Sequence, residues 1–144
     1  MPSRSFSGFL VVAAILASPF AAALGWNVWY DRSNDRILEE VPVYPGSQLV
    51  EGAETRAVNL RQRELAMSVR LPKQTPPWKI ERFFERRLDP AWQQLRLHHW
   101  GWCFTRGEAA LLLRVEEFAG VKTMWTMVDA RGAGRCAEHP FMYG

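Results

Sequence analysis

Two cysteines, three histidines and seven tryptophans are the side chains of widest chemical reach in this chain. Cys103 and Cys136 are the only thiols, so they form one disulfide or none. An exported, oxidising location favours the bond. Cys103 falls near the end of one expected strand, and Cys136 follows another that should end on the same edge of the sheet. The six residues from Ala130 to Arg135 are long enough to cross two strand spacings of about 4.8 Å. The histidines His98, His99 and His139 do not extend this pair to a metal site. Neighbours in a strand point to opposite faces, and no C-x-x-C, H-x-x-x-H or H-E-x-x-H spacing occurs. Neither a metal nor a cofactor is expected. Catalytic grammar is missing too: there is no G-x-S-x-G, no phosphate-cradling glycine loop and no C-x-x-C-H. Glu116 and Glu117 alternate across a strand and read as a solvated end, so no catalytic residue is assigned and the chain is expected not to be an enzyme.

The tryptophans sort by position. Trp26 and Trp29, with Tyr30, close a run from Ser5 to Tyr30 that holds 26 residues and no charge. A helix of that length spans roughly 39 Å, more than the hydrocarbon core of a bilayer needs. These three rings are then the membrane-interface belt. Residues 1–30 are accordingly expected to be a single transmembrane anchor, with the lipid bilayer as its partner. Ala21-Ala22-Ala23 supplies the alternative, a signal peptide cleaved after Ala23 and a secreted or periplasmic product. Arg4 and the signal-like start place the N-terminus in the cytoplasm and the domain outside. No cysteine near the apolar run supports a lipoprotein type of anchor.

Behind the anchor, 31–41 (DRSNDRILEE and Val41) is expected to be a polar stalk, 42–138 an extracytoplasmic domain and 139–144 a tail. The net charge of +3, 18 basic against 15 acidic, lacks the dense basic stripe of a nucleic-acid binder. Pro45-Gly46 reads as a tight turn. Gln48–Val58 is a weak edge strand, and Leu65–Leu71 alternates cleanly as a half-buried one. Thr75 caps a helix in which Trp78, Ile80, Phe83, Phe84 and Leu88 form the apolar face. From Leu95 the period returns to two, with Trp100, Trp102 and Phe104 on one face. Ala109–Phe118 and Val121–Asp129 complete a meander. The order β-β-α-β-β-β makes an α+β fold, a two-layer domain with one helix on an antiparallel sheet. Trp78, Trp100 and Trp102 then fall in the core, which leaves Trp92 and Trp125 as candidate surface contacts for a partner.

Val41–Ser47 (VPVYPGS), the aromatic-rich helix WKIERFFERRL and the TRGEAALLLRV stretch resemble a loose group of small bacterial exported or membrane-anchored proteins. That group opens on P-x-Y-P-G-[AS], and the likeness covers about residues 41–130, although Ala91-Trp92 stands where the group shows Gly-Trp. The resemblance implies an extracytoplasmic α+β domain and brings no catalytic residues with it. The expected function is a membrane-tethered, non-catalytic interaction domain of the kind that serves as an accessory subunit of a membrane protein complex. The alternative is a secreted domain that binds a small molecule in the cleft between helix and sheet.

Overall fold

A computed structural model of the chain describes residues 6–96 and 101–137, with side chains over 20–95 and 101–136. His98, His99, Trp100 and His139 lie outside the described residues. The elements run α1 (Phe6–Glu40), β1 (Gln48–Asn59), β2 (Gln62–Arg70), α2 (Pro77–Arg87), β3 (Gln93–Arg96), β4 (Gly101–Arg106), β5 (Ala109–Phe118), β6 (Val121–Asp129) and α3 (Ala133–Ala137). The strands form a six-stranded sheet in the order β1-β2-β6-β5-β4-β3, each neighbouring pair antiparallel. The fold is α+β, as the alternating and helical periods require. Its element order is not the expected one. β3 and β4 are separate strands, and helices stand on both faces of the sheet rather than one helix on one face.

Alternation decides the faces. Leu65 pairs with Val128, Leu111 with Val128 and Phe104 with Leu111. These residues, with Val69, Trp102, Leu113, Val115 and Met124, make one buried face. Ile80, Phe84 and Leu88 from α2 and Ile37 from α1 fill it from above. The opposite face is apolar only under α3, where Cys103, Ala110, Leu112 and Cys136 are buried together. β1 is exposed along its whole length, as befits an edge, and its bulges and its charges at Glu51, Glu54 and Arg56 discourage further strand pairing.

Turn chemistry holds the connections. Gly46 has φ +73° and Ser47 N–H donates to the Tyr44 carbonyl at 3.1 Å, so Tyr44–Ser47 is the tight turn expected. Ala119 and Gly120 both have positive φ, the requirement of a two-residue hairpin between β5 and β6. α2 begins one residue later than its sequence predicts. Pro76 occupies the cap without a side-chain bond, while the Thr75 hydroxyl donates to the Pro72 carbonyl at 2.7 Å.

The segment expected as a stalk is the last third of α1, and it packs on the sheet. Tyr30, Asn34 and Ile37 fall four and three residues apart, on one side of the helix, and all three are buried. Within residues 20–95 and 101–136, whose side chains are described, no helix is long and apolar enough to cross a membrane.

Candidate functional site

Among the described residues, polar chemistry gathers first where α1 meets the sheet and again on the outer side of α2. The first place is where α1 seats on the ends of β2 and β6. The Asn34 amide donates to the Arg63 carbonyl at 3.0 Å, and its oxygen accepts from the Ala130 N–H at 2.7 Å. One side chain thus joins the ends of two adjacent strands to the helix. Four residues earlier, the Tyr30 hydroxyl donates to Asp129 Oδ1. That oxygen also accepts from the Arg131 N–H at 2.9 Å, and Oδ2 accepts from Arg135 Nη1 at 3.1 Å. Arg135 reaches on to Glu64 Oε2 at 3.0 Å, so α1, β6, α3 and β2 meet through four side chains. Outside them, Arg63 holds Asp31 through two bonds of 2.7 and 3.0 Å.

Electrostatics keep the phenol and the guanidinium of this cluster protonated. Burial, and then the Asp129 carboxylate, hold the Tyr30 phenol well above its ordinary pKa, so it remains a donor. The Arg135 guanidinium loses solvation on burial, but its bonds to Glu64 and Asp129 outweigh that loss and raise its pKa. Tyr30 and Asp129 have no exposed surface. Both Asp129 oxygens are engaged inside the cluster, which suits a lock better than a reaction centre. Gly132 belongs to it as well: a Cβ there would lie 2.6 Å from the Asp129 Cβ.

α3 is held to the sheet a second time. Cys103 and Cys136 form a disulfide with Cα atoms 5.9 Å apart, the pairing predicted from the sequence. This bond and the Arg135 pairs fix a helix of only five residues that has little intrinsic tendency to persist.

The second place is the outer side of α2. Tyr44, Trp78 and Phe83, with the cations Lys79, Arg82, Arg86 and Arg87, line an open groove of about 360 Å³. That is the low end of ligand-pocket size, room for a side chain or a small anionic group. Trp78 is 55% exposed, with Lys79 and Arg82 stacked against its ring at 5.6 and 5.7 Å. Phe83 packs edge-on against Tyr44 at 5.1 Å and forms the apolar floor.

The expected site residues fare differently. Tyr30 is not an interface residue: its hydroxyl found a carboxylate inside the domain and took the ring with it. Trp26 is half-buried, its Nε1 donating to the Arg61 carbonyl at 3.4 Å, with the Arg131 guanidinium 5.1 Å over its ring. Trp29 stays exposed on α1. Trp92 is not a surface contact. The turn at Asp89, whose carboxylate accepts from Ala91 N–H at 2.8 Å, folds it inward to 7% exposure, and Arg106 covers its ring at 4.6 Å. Trp125 is half-buried between Arg56 and Glu116, which accepts from its Nε1 at 3.2 Å. Trp78, assigned to the core from the sequence, is the exposed one.

Its position was legible. At about 100° per residue, Trp78 stands roughly 160° from Ile80 and roughly 120° from Phe84 around the helix, and only about 40° from Arg82. The space between α2 and the sheet, where a cleft was considered, is filled by Ile80, Phe84, Trp102, Leu111 and Leu113. Comparison with known protein families, with curated proteins and with solved structures finds no match.

Proposed function

We propose that this chain is a single-pass, membrane-tethered domain on the outer side of the membrane, without chemistry of its own, serving as an accessory subunit of a membrane protein complex. Phe6–Gly25 supplies 20 uncharged residues, about 30 Å of helix, as the span. One observation carries this choice over a cleaved signal. α1 runs without interruption through Ala21-Ala22-Ala23 into the residues locked on the sheet. A peptidase takes its substrate extended, so cleavage there would require unwinding a helix whose other end is clamped. Trp29 and the exposed Phe20, Leu24 and Val28 then face the membrane and its interface.

The α2 groove is the surface offered to a partner. Four cations beside an exposed Trp select an acidic segment with an apolar or aromatic residue, because aromatic and Arg side chains supply most interface anchors. The test is extraction in a gentle detergent followed by native and intact mass measurement. The reading expects a chain retaining Phe6–Gly25 with a stoichiometric partner, and loss of that partner in Trp78→Ala/Arg82→Ala. A mature chain beginning at Leu24 would refute the tether, and a lone monomer would refute the accessory role.

A further inference from the structure

The absence of a stalk has a geometric consequence at the other end of the docked helix. The turn between β1 and β2 (Asn59–Gln62) lines one open hollow with Ala23, Trp26 and Asn27 of α1, and Trp26 Nε1 donates to the Arg61 carbonyl across it at 3.4 Å. Leu60, at the tip of this turn, is fully exposed, which is unusual for a large aliphatic side chain at the head of a tight hairpin. Arg61 follows it, and Arg131 reaches the same level from the end of β6, stacked on Trp26. Arg131 also bonds Glu108 at 3.1 Å. Arg61 forms no ion pair among the described residues.

The helical rise sets the level of this tip. If Phe6–Gly25 fills the hydrocarbon, the helix leaves it at Trp26, the residue whose Nε1 touches the Arg61 carbonyl. Leu60 therefore lies at the hydrocarbon boundary and the two arginines at the depth of the phosphates. We propose that the β1–β2 turn is a membrane-seating device: Leu60 enters the acyl boundary while Arg61 and Arg131 bind the phosphates of anionic lipids. The occupant follows from continuity with the helix and from charge. An apolar tip backed by two guanidiniums and an indole matches a bilayer interface, apolar below and anionic above. The domain then touches the membrane at two points, α1 and the turn, and its tilt is fixed.

This inference rests on the tethered reading, and the experiment separates the two. The full chain carrying Leu60→Cys, labelled with an environment-sensitive fluorophore without reductant so that Cys103–Cys136 stays closed, is reconstituted into phosphatidylcholine–phosphatidylglycerol vesicles. Phe118→Cys, exposed at the β5–β6 turn, is the control. The expected result is a blue shift and quenching by acyl-chain nitroxides at position 60 but not at 118. Arg61→Glu, or vesicles of phosphatidylcholine alone, should abolish the dependence on phosphatidylglycerol. A label at 60 as water-exposed as that at 118, on protein that resists carbonate extraction, overturns the seating device and leaves the tether standing. Protein released by carbonate overturns both.

Discussion

Removing one oxygen tests whether α1 is part of the domain. In Tyr30→Phe the ring keeps its packing and only the hydroxyl bond to Asp129 goes. A hydrogen bond to a charged acceptor is worth about 1.5–3 kcal/mol. Asp129 is not orphaned, since Arg131 N–H and Arg135 Nη1 remain. The lower part of that range, about 1.5–2 kcal/mol, is therefore expected. With a urea m value of about 1–3 kcal/mol/M, the midpoint falls by about 1 M, with the slope unchanged. Equilibrium unfolding of the full chain in mild micelles, followed by tryptophan fluorescence, measures it.

The pH dependence gives an independent check. The folded phenol titrates above its unfolded value near 10, so its contribution is complete below about pH 10 and is lost as pH rises beyond it. Wild type should approach the variant's stability as the medium becomes strongly alkaline. A cycle with Asp129→Asn should be non-additive by about 0.5 kcal/mol or more. A loss below about 0.5 kcal/mol, additive with Asp129→Asn, would refute the lock and with it the docking of α1.

Three further outcomes follow from the packing. Phe84→Ala should cost about 3–5 kcal/mol in the same unfolding assay, because the ring has no exposed surface and its neighbours cannot close the cavity. Paired Cys103→Ser/Cys136→Ser should cost about 3–4 kcal/mol for a closed loop of 33 residues, and thiol counting on the unreduced wild type should find no free thiol. Gly132→Ala should destabilise by about 1–3 kcal/mol by driving a methyl into Asp129, and should lose most of that effect in an Asp129→Gly background.

The sequence carried some of this structure openly and concealed the rest for identifiable reasons. Leu65–Leu71 and Ala109–Phe118 alternate strictly, and alternation is local, so both strands and their inward faces could be read directly. The Ala119-Gly120 hairpin and the Cys103–Cys136 bond were likewise legible, one from turn sterics and the other from redox compartment and reach. α1 misled because hydropathy weighs each side chain alone. Tyr30 docks through one polar bond to a partner 99 positions away, and Asn34 through bonds to partners 29 and 96 positions away, and no local window contains them. Period two runs in the sequence from Leu95 through Phe104, so it carries no local mark that β3 and β4 are separate antiparallel strands. α3 is held by Cys136, Arg135 and the Ala133 N–H bond to the Glu108 carbonyl, all tertiary contacts. Trp78 differs for another reason: its hydrophobicity suggests the core, but its angle on α2 puts it beside Arg82 on the outer side.

The lock also fixes an order of events during synthesis. Tyr30 is made 99 residues before Asp129, and Arg135 and Cys136 follow later still. At about 5–20 residues per second, the helix waits roughly 5–20 s for its carboxylate. Throughout that interval Tyr30 lacks its carboxylate and Asn34 has only the Arg63 carbonyl, so β2 and the later strands pair without α1 locked across their ends. A segment made early is thus fastened late, and α3, made after β6, closes the latch on it.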